Sequence, residues 1–171
     1  GYGVLGCLIK KFFPKANIIS INLGRTLFFD VYYSQMVFPN LEHKLLKEDD
    51  QLASKDFTFI EAEKLKKIEA DIFINIASMQ EMNPEDIDLY FDKIRSQNSD
   101  TWFYCCNRIS KVLPDGTNII FDKFPWSKKD KVLVEELCPW QKEYPANRPP
   151  FIFKFPDPIK HKLIKVNLKK K

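Results

Sequence analysis

Three stretches of this 171-residue chain combine residue types and spacings that could do chemistry. The first is GYGVLG, where Gly1, Gly3 and Gly6 have the Gly-x-Gly-x-x-Gly spacing that lets a backbone close on a cofactor with no Cβ in the way. The second is Asn22 at the end of ANIISIN, the place where a nucleotide-binding sheet holds ribose hydroxyls. The third is split in two: Ser78, Gln80, Glu81 and Asn83 follow one apolar run, and Asn107 and Arg108 follow the next. Glu81 is the candidate general base, because a carboxylate can take the proton of an alcohol that is otherwise a poor nucleophile. Gln80, Asn107 and Arg108 are candidates to orient hydroxyls or charges on a substrate. Asn83 is placed to cap the helix that follows it.

The other reactive types point to packing. Cys7, Cys105, Cys106 and Cys138 form no CxxC pair, and adjacent cysteines cannot readily ligate one tetrahedral zinc, so no metal site is expected. They read as reduced thiols of a cytoplasmic protein, with Cys105 and Cys106 acting as small hydrophobes inside a strand. His43 and His161 read as surface or packing residues. Trp126 and Trp140 serve equally as core or as an apolar platform for a ligand face.

Hydrophobic periodicity supplies the elements that must position these groups. Val4, Leu5, Leu8, Ile9 and Phe12 predict a helix stopped by Pro14, and ANIISINLG alternates as a short buried strand. Leu27, Phe28, Val31, Tyr32 and Met36 then predict a second helix ended by Pro39. Residues 40–56 read as a polar connection or ragged helix, DFTFIEAE as a strand, and ADIFINIAS as a central parallel strand, apolar on both faces. Pro84, Glu85 and Asp86 open a helix on which Ile87, Tyr90, Phe91 and Ile94 share one face. TWFYCCN predicts a strand, SKKDKVLVEELCPW a short helix, and PFIFKFPDPIKHKLIKVNL two strands joined at Pro156-Asp157-Pro158. Strands alternating with helices before a late hairpin predict a single α/β domain over residues 1–171, three-layered and mostly parallel, with a C-terminal antiparallel hairpin. Such sheets bind ligands at the carboxyl ends of their strands.

Composition is that of a globular chain, with 44% hydrophobic and 29% charged residues, which argues against disorder. No run approaches the roughly 20 apolar residues of a membrane span. Residues 1–100 hold 12 Lys/Arg against 16 Asp/Glu and residues 101–171 hold 15 against 7, so the net charge of +4 comes from the C-terminal part. Lys169, Lys170 and Lys171 form a terminal basic run rather than a stripe with interleaved readers, so nucleic acid is not expected as a partner.

GYGVLG followed by FP, the helix ending YYSQMVFP, DIFINIASMQEMNPEDIDLYFDKI, FYCCNR, IIFDKFPW and FPDPIKHK together resemble the sugar O-methyltransferases, Rossmann-like enzymes that use S-adenosylmethionine. The resemblance spans most of the chain and is strongest over INIASMQEMNPEDIDLYFDKI with FYCCNR. It implies a cytoplasmic O-methyltransferase acting on a sugar hydroxyl or glycan precursor, in surface polysaccharide biosynthesis. It assigns cofactor contacts to Gly1, Tyr2, Gly3, Asn22 and Ser78, with Gly6 reduced to a small residue on the first helical turn. It further implies that the family loop's acid and first glycine, and the first sheet strand, would precede residue 1, leaving neighbouring strands with open apolar edges, weak cofactor binding and marginal stability. Asn22 departs from the family, which places an acid there; an amide offers one acceptor oxygen where a carboxylate offers two, a loss of about 1 kcal/mol. Two other readings stay open: an NADP-linked Rossmann oxidoreductase, with Arg25 facing a 2′-phosphate, and a non-catalytic relative that packs against another protein. The residues do not set an oligomeric state.

Overall fold

The computed structural model describes residues 3–47, 56–65, 68–139 and 158–168. Gly1, Tyr2, Trp140, the strand and turn expected over 151–157, and the three terminal lysines lie outside them. Contacts divide the chain into two compact units, residues 1–68 and 69–171.

In the first unit, α1 (Val4–Phe12), β1 (Ile18–Asn22), α2 (Gly24–Val37), β2 (His43–Leu45) and β3 (Phe57–Glu61) follow in order. Both β1 and β2 pair in parallel with β3, giving the order β1-β3-β2. Asn22 therefore stands level with Glu61 at the carboxyl end. The two helices cover the sheet through a core of Cys7, Leu27, Phe57 and Phe59, with Ile18 and Val31 packed against it. Gly6 is the contact that lets α1 approach β1: a Cβ there would stand 3.0 Å from Ile18 Cγ2. The Lys10 ammonium is buried near the other end of α1, where it donates to Asp56 Oδ1 at 2.7 Å and to the Ala16 carbonyl at 2.8 Å. The connection expected over 40–56 contains β2.

The second unit contains β4 (Ile72–Ile76), α3 (Pro84–Arg95), β5 (Trp102–Arg108), β6 (Ser110–Val112), β7 (Asn118–Ile120), β8 (Lys131–Leu137) and β9 (Ile159–Lys165). Its main sheet has the order β4-β5-β9-β8, with β4 and β5 parallel and the β5–β9 and β8–β9 pairs antiparallel. β6 and β7 form a separate hairpin. α3 starts as expected, with Pro84 in its first turn and acids at Glu85 and Asp86. Its buried Ile87, Phe91 and Ile94 join Phe103, Cys105 and Ile164 in the core. The far end of α3 is fastened by a buried bidentate pair, Arg95 Nη1 to Asp130 Oδ1 at 2.7 Å and Nη2 to Oδ2 at 2.8 Å.

The described residues form a mixed α/β fold with parallel and antiparallel sheets and the three helices α1, α2 and α3. Two elements differ from expectation. Within SKKDKVLVEELCPW, Lys131–Leu137 form β8 where a short helix was expected, because Val132 and Val134 are β-branched and Glu135 is held across the sheet by Lys160 and Lys162, at 2.7 and 2.8 Å. DIFINI forms an edge strand of its sheet among the described residues: Phe73 packs against the core, whereas Ile72, Ile74 and Ile76 are exposed. An apolar run with period two does not itself decide which face is covered. No described helix is long and apolar enough to cross a membrane.

Candidate functional site

At the carboxyl end of β1, Gly3 caps α1 with φ 74° and ψ −1°, a left-handed conformation. A Cβ at Gly3 would stand 3.1 Å from Asp30 Cα and 3.2 Å from the Asp30 carbonyl oxygen. Both the backbone angle and the space at this position demand glycine. Asp30, on α2 and 2% exposed, reaches to β1, where its Oδ2 accepts from Ser20 Oγ at 2.7 Å and from Asn22 Nδ2 at 3.2 Å. Asn22 Oδ1 in turn accepts from the Leu23 N–H at 2.9 Å. Asp30 Oδ1 is buried and has no hydrogen-bond partner. Nearby on α1, the Cys7 thiol is pushed up, first by burial and then by the Asp30 charge. Thus Gly3 and Asn22, far apart in sequence, meet through Asp30.

The sequence reading missed Asp30. The signal for it was a carboxylate on the buried stripe of α2, between Leu27 and Ser34, where only a paired or functional charge belongs. It also missed Glu61, level with Asn22 and 3.6 Å from the position a Gly24 Cβ would take; Glu61 is paired with Lys64 at 2.8 Å.

At the carboxyl ends of β4 and β5, Ala77 takes φ 57°, an uncommon left-handed conformation for a residue with a Cβ. It turns the chain into the short 3-10 helix Met79–Glu81. Asn107 is fully buried there; its Oδ1 accepts from the Gln80 N–H at 3.2 Å, and its Nδ2 donates to Asn75 Oδ1 at 2.9 Å and to Cys105 Sγ at 3.1 Å. Gln80 Oε1 accepts from the Arg108 N–H at 2.8 Å. Asn75 Nδ2 donates to Ser78 Oγ at 2.6 Å, and Asn75 Oδ1 accepts from the Met79 N–H at 3.2 Å. Ser78, Gln80, Glu81, Asn107 and Arg108 are brought together, but Gln80 and Asn107 use their amides to hold the turn.

Asn83 occupies the cap position of α3 without a side-chain cap bond. The Glu81 carboxylate is half-exposed, ion-paired with Lys111, and accepts from Gln80 Nε2 at 3.3 Å. The Lys111 hydrogen bond, opposed by burial and aided by Gln80, holds its carboxyl below the usual range. It is therefore ionised at neutral pH, as a base must be, but weak until Lys111 is drawn away.

The other polar clusters are packing. His43 stacks on Phe57 with ring centroids 5.0 Å apart, and His161 meets Tyr104 edge-on, with 3.1 Å between Nδ1 and the phenol oxygen. Burial pushes the Tyr104 phenol and the Cys105 thiol each up to about 12 and the Cys106 thiol up to about 11, so all three are protonated near neutrality. Trp126 lies among Phe91, Phe121 and Phe124, and its Nε1 donates to the Phe121 carbonyl at 2.9 Å. Among the described residues, no group of three His, Cys, Asp or Glu is placed to hold a metal ion. Compared with known protein families and with curated proteins, the chain matches none.

Proposed function

We propose that this chain is an S-adenosylmethionine-dependent O-methyltransferase acting on a sugar hydroxyl, with a three-layer Rossmann-like fold. The observation that carries the proposal is the Cβ-free, left-handed turn at Gly3, joined through Asp30 to Asn22 at the end of a parallel strand. That arrangement fits a small polar cofactor: a close-approach backbone at one side, and an amide at the ribose-binding position on the other. Among the described residues, β1 and β4 each pair in parallel with their neighbour, in keeping with the mostly parallel sheet this reading implies.

When bound, the cofactor supplies an electrophilic methyl group. Gly3 leaves room for its amino-acid end, and Asn22 offers its amide to the ribose. Within the second unit, Glu81 is the group that would take a proton from a sugar hydroxyl once Lys111 is drawn from its carboxylate. Gln80 and Asn107 hold the Glu81 turn in place, and Arg108 is assigned to the substrate.

A thermal-shift comparison on the chain tests the reading. S-adenosylhomocysteine at a hundred times its dissociation constant stabilises the folded state by about 2.7 kcal/mol, and NADP leaves it unchanged. Stabilisation by NADP alone would replace the proposal with an oxidoreductase, and a response to neither with a non-catalytic relative.

A further inference from the structure

We infer that Asp30 is a positioning residue for cofactor recognition, the buried charged half of a two-residue acceptor whose ligand-facing half is Asn22; this rests on the functional reading just given. The orientation of the Asn22 amide is dictated by chemistry. Its Nδ2 faces a carboxylate oxygen, which cannot donate, and its Oδ1 faces the Leu23 N–H, which cannot accept. Reversing the amide would lose both bonds. Donation to a carboxylate also draws electron density toward Oδ1, strengthening it as an acceptor for a ribose hydroxyl. A neutral residue at the end of β1 thus borrows charge from an acid one layer behind it.

Two further observations support the pairing. Asp30 is 2% exposed, yet no Lys or Arg is paired with it among the described residues, so its cost of burial is not repaid by an ion pair. Its backbone lies against Gly3, so one residue braces both the glycine turn and the strand-end amide. Ser20 Oγ fixes the carboxylate from below. Cys7 on α1 and Glu61 on β3 are the other titratable groups facing the pair.

Three variants test this: Asp30→Asn, Asn22→Asp and the exchange N22D/D30N. Asn22→Asp sets two carboxylates at hydrogen-bond distance, so one must titrate well above its ordinary range. A folded-state carboxyl raised in this way makes the variant less stable above that pKa, and its melting temperature climbs as pH falls from 8 to 5, unlike the parent. The exchange variant removes that slope. An Asn22→Asp profile parallel to the parent's overturns the pairing without any ligand being involved. In calorimetric titration with S-adenosylhomocysteine, Asp30→Asn weakens binding by about tenfold, and the exchange variant recovers it. Parent-like affinity in Asp30→Asn overturns the positioning role while leaving the functional reading intact. A parent that binds no S-adenosylhomocysteine overturns that reading and the cofactor role of Asp30 together.

Discussion

The carboxyl ends of the two sheets handle buried polar groups in opposite ways. At β4 and β5, the Asn107, Gln80 and Asn75 amides engage one another, the Ser78 hydroxyl and the backbone around them, so that network is complete without a ligand. At β1, Ser20, Asn22 and Asp30 form a comparable network that ends on a buried carboxylate oxygen with no donor. A closed network rigidifies the turn that presents Glu81; an open one is costly by itself and better suited to respond to a ligand. Damage to the first is therefore expected in stability and damage to the second in binding.

The largest effect is expected away from both networks, at the buried Arg95–Asp130 pair at the far end of α3. Arg95→Met leaves Asp130 buried and uncompensated, costing about 3–5 kcal/mol in urea unfolding. The pH response has a definite sign. Burial raises the Asp130 carboxyl, but the bonds from Arg95, Asn167 and Ser127 outweigh it and hold the pKa below the ordinary range. That stability is present above the unfolded carboxyl pKa and is lost as pH falls through the folded one; Arg95→Met flattens this acid limb.

Asn107→Ala comes next, about 2–3 kcal/mol, because the Gln80 N–H and Asn75 Oδ1 lose a buried partner. Calorimetric unfolding with and without S-adenosylhomocysteine would show the same loss in both. If most of the loss appeared only with ligand, the closed network would be a binding site rather than a brace.

Gly3→Ala meets a positive φ and backbone atoms at 3.1 and 3.2 Å, costing about 1–3 kcal/mol. Here the affinity falls further than stability alone explains. The smallest effect, about 0.5–1 kcal/mol of added stability, belongs to Ala77→Gly, which relieves the left-handed strain. A gain in melting temperature with a loss of methyl transfer would mark that strain as functional.

The sequence foretold elements where local signals agreed. Pro84, Glu85, Asp86 and the Ile87/Phe91/Ile94 stripe specify α3 at several levels at once, and Pro14 and Pro39 bracket the first two helices. It misled over 127–140, where charged residues suggested a helix but partners on β9 made Lys131–Leu137 a strand. Long-range pairing of that kind leaves no local trace. The candidate residues at 78–81 and 107–108 were legible because strand ends in α/β folds collect polar groups, but their mutual bonds were not, since register decides which amides meet. Asp30 was visible only as an acid on an apolar stripe, and its bonds to Ser20 and Asn22 depend on how α2 packs on β1.

The central claim, that a cofactor sits on Gly3 and Asn22, is tested most directly by titrating S-adenosylhomocysteine into the 15N-labelled protein and following its amide resonances. Saturable shifts are expected at Gly3, at Leu23 and at the side-chain amide of Asn22, with Gly116 in the β6–β7 turn unmoved. Shifts confined to other residues, or no shifts at millimolar ligand, would contradict it.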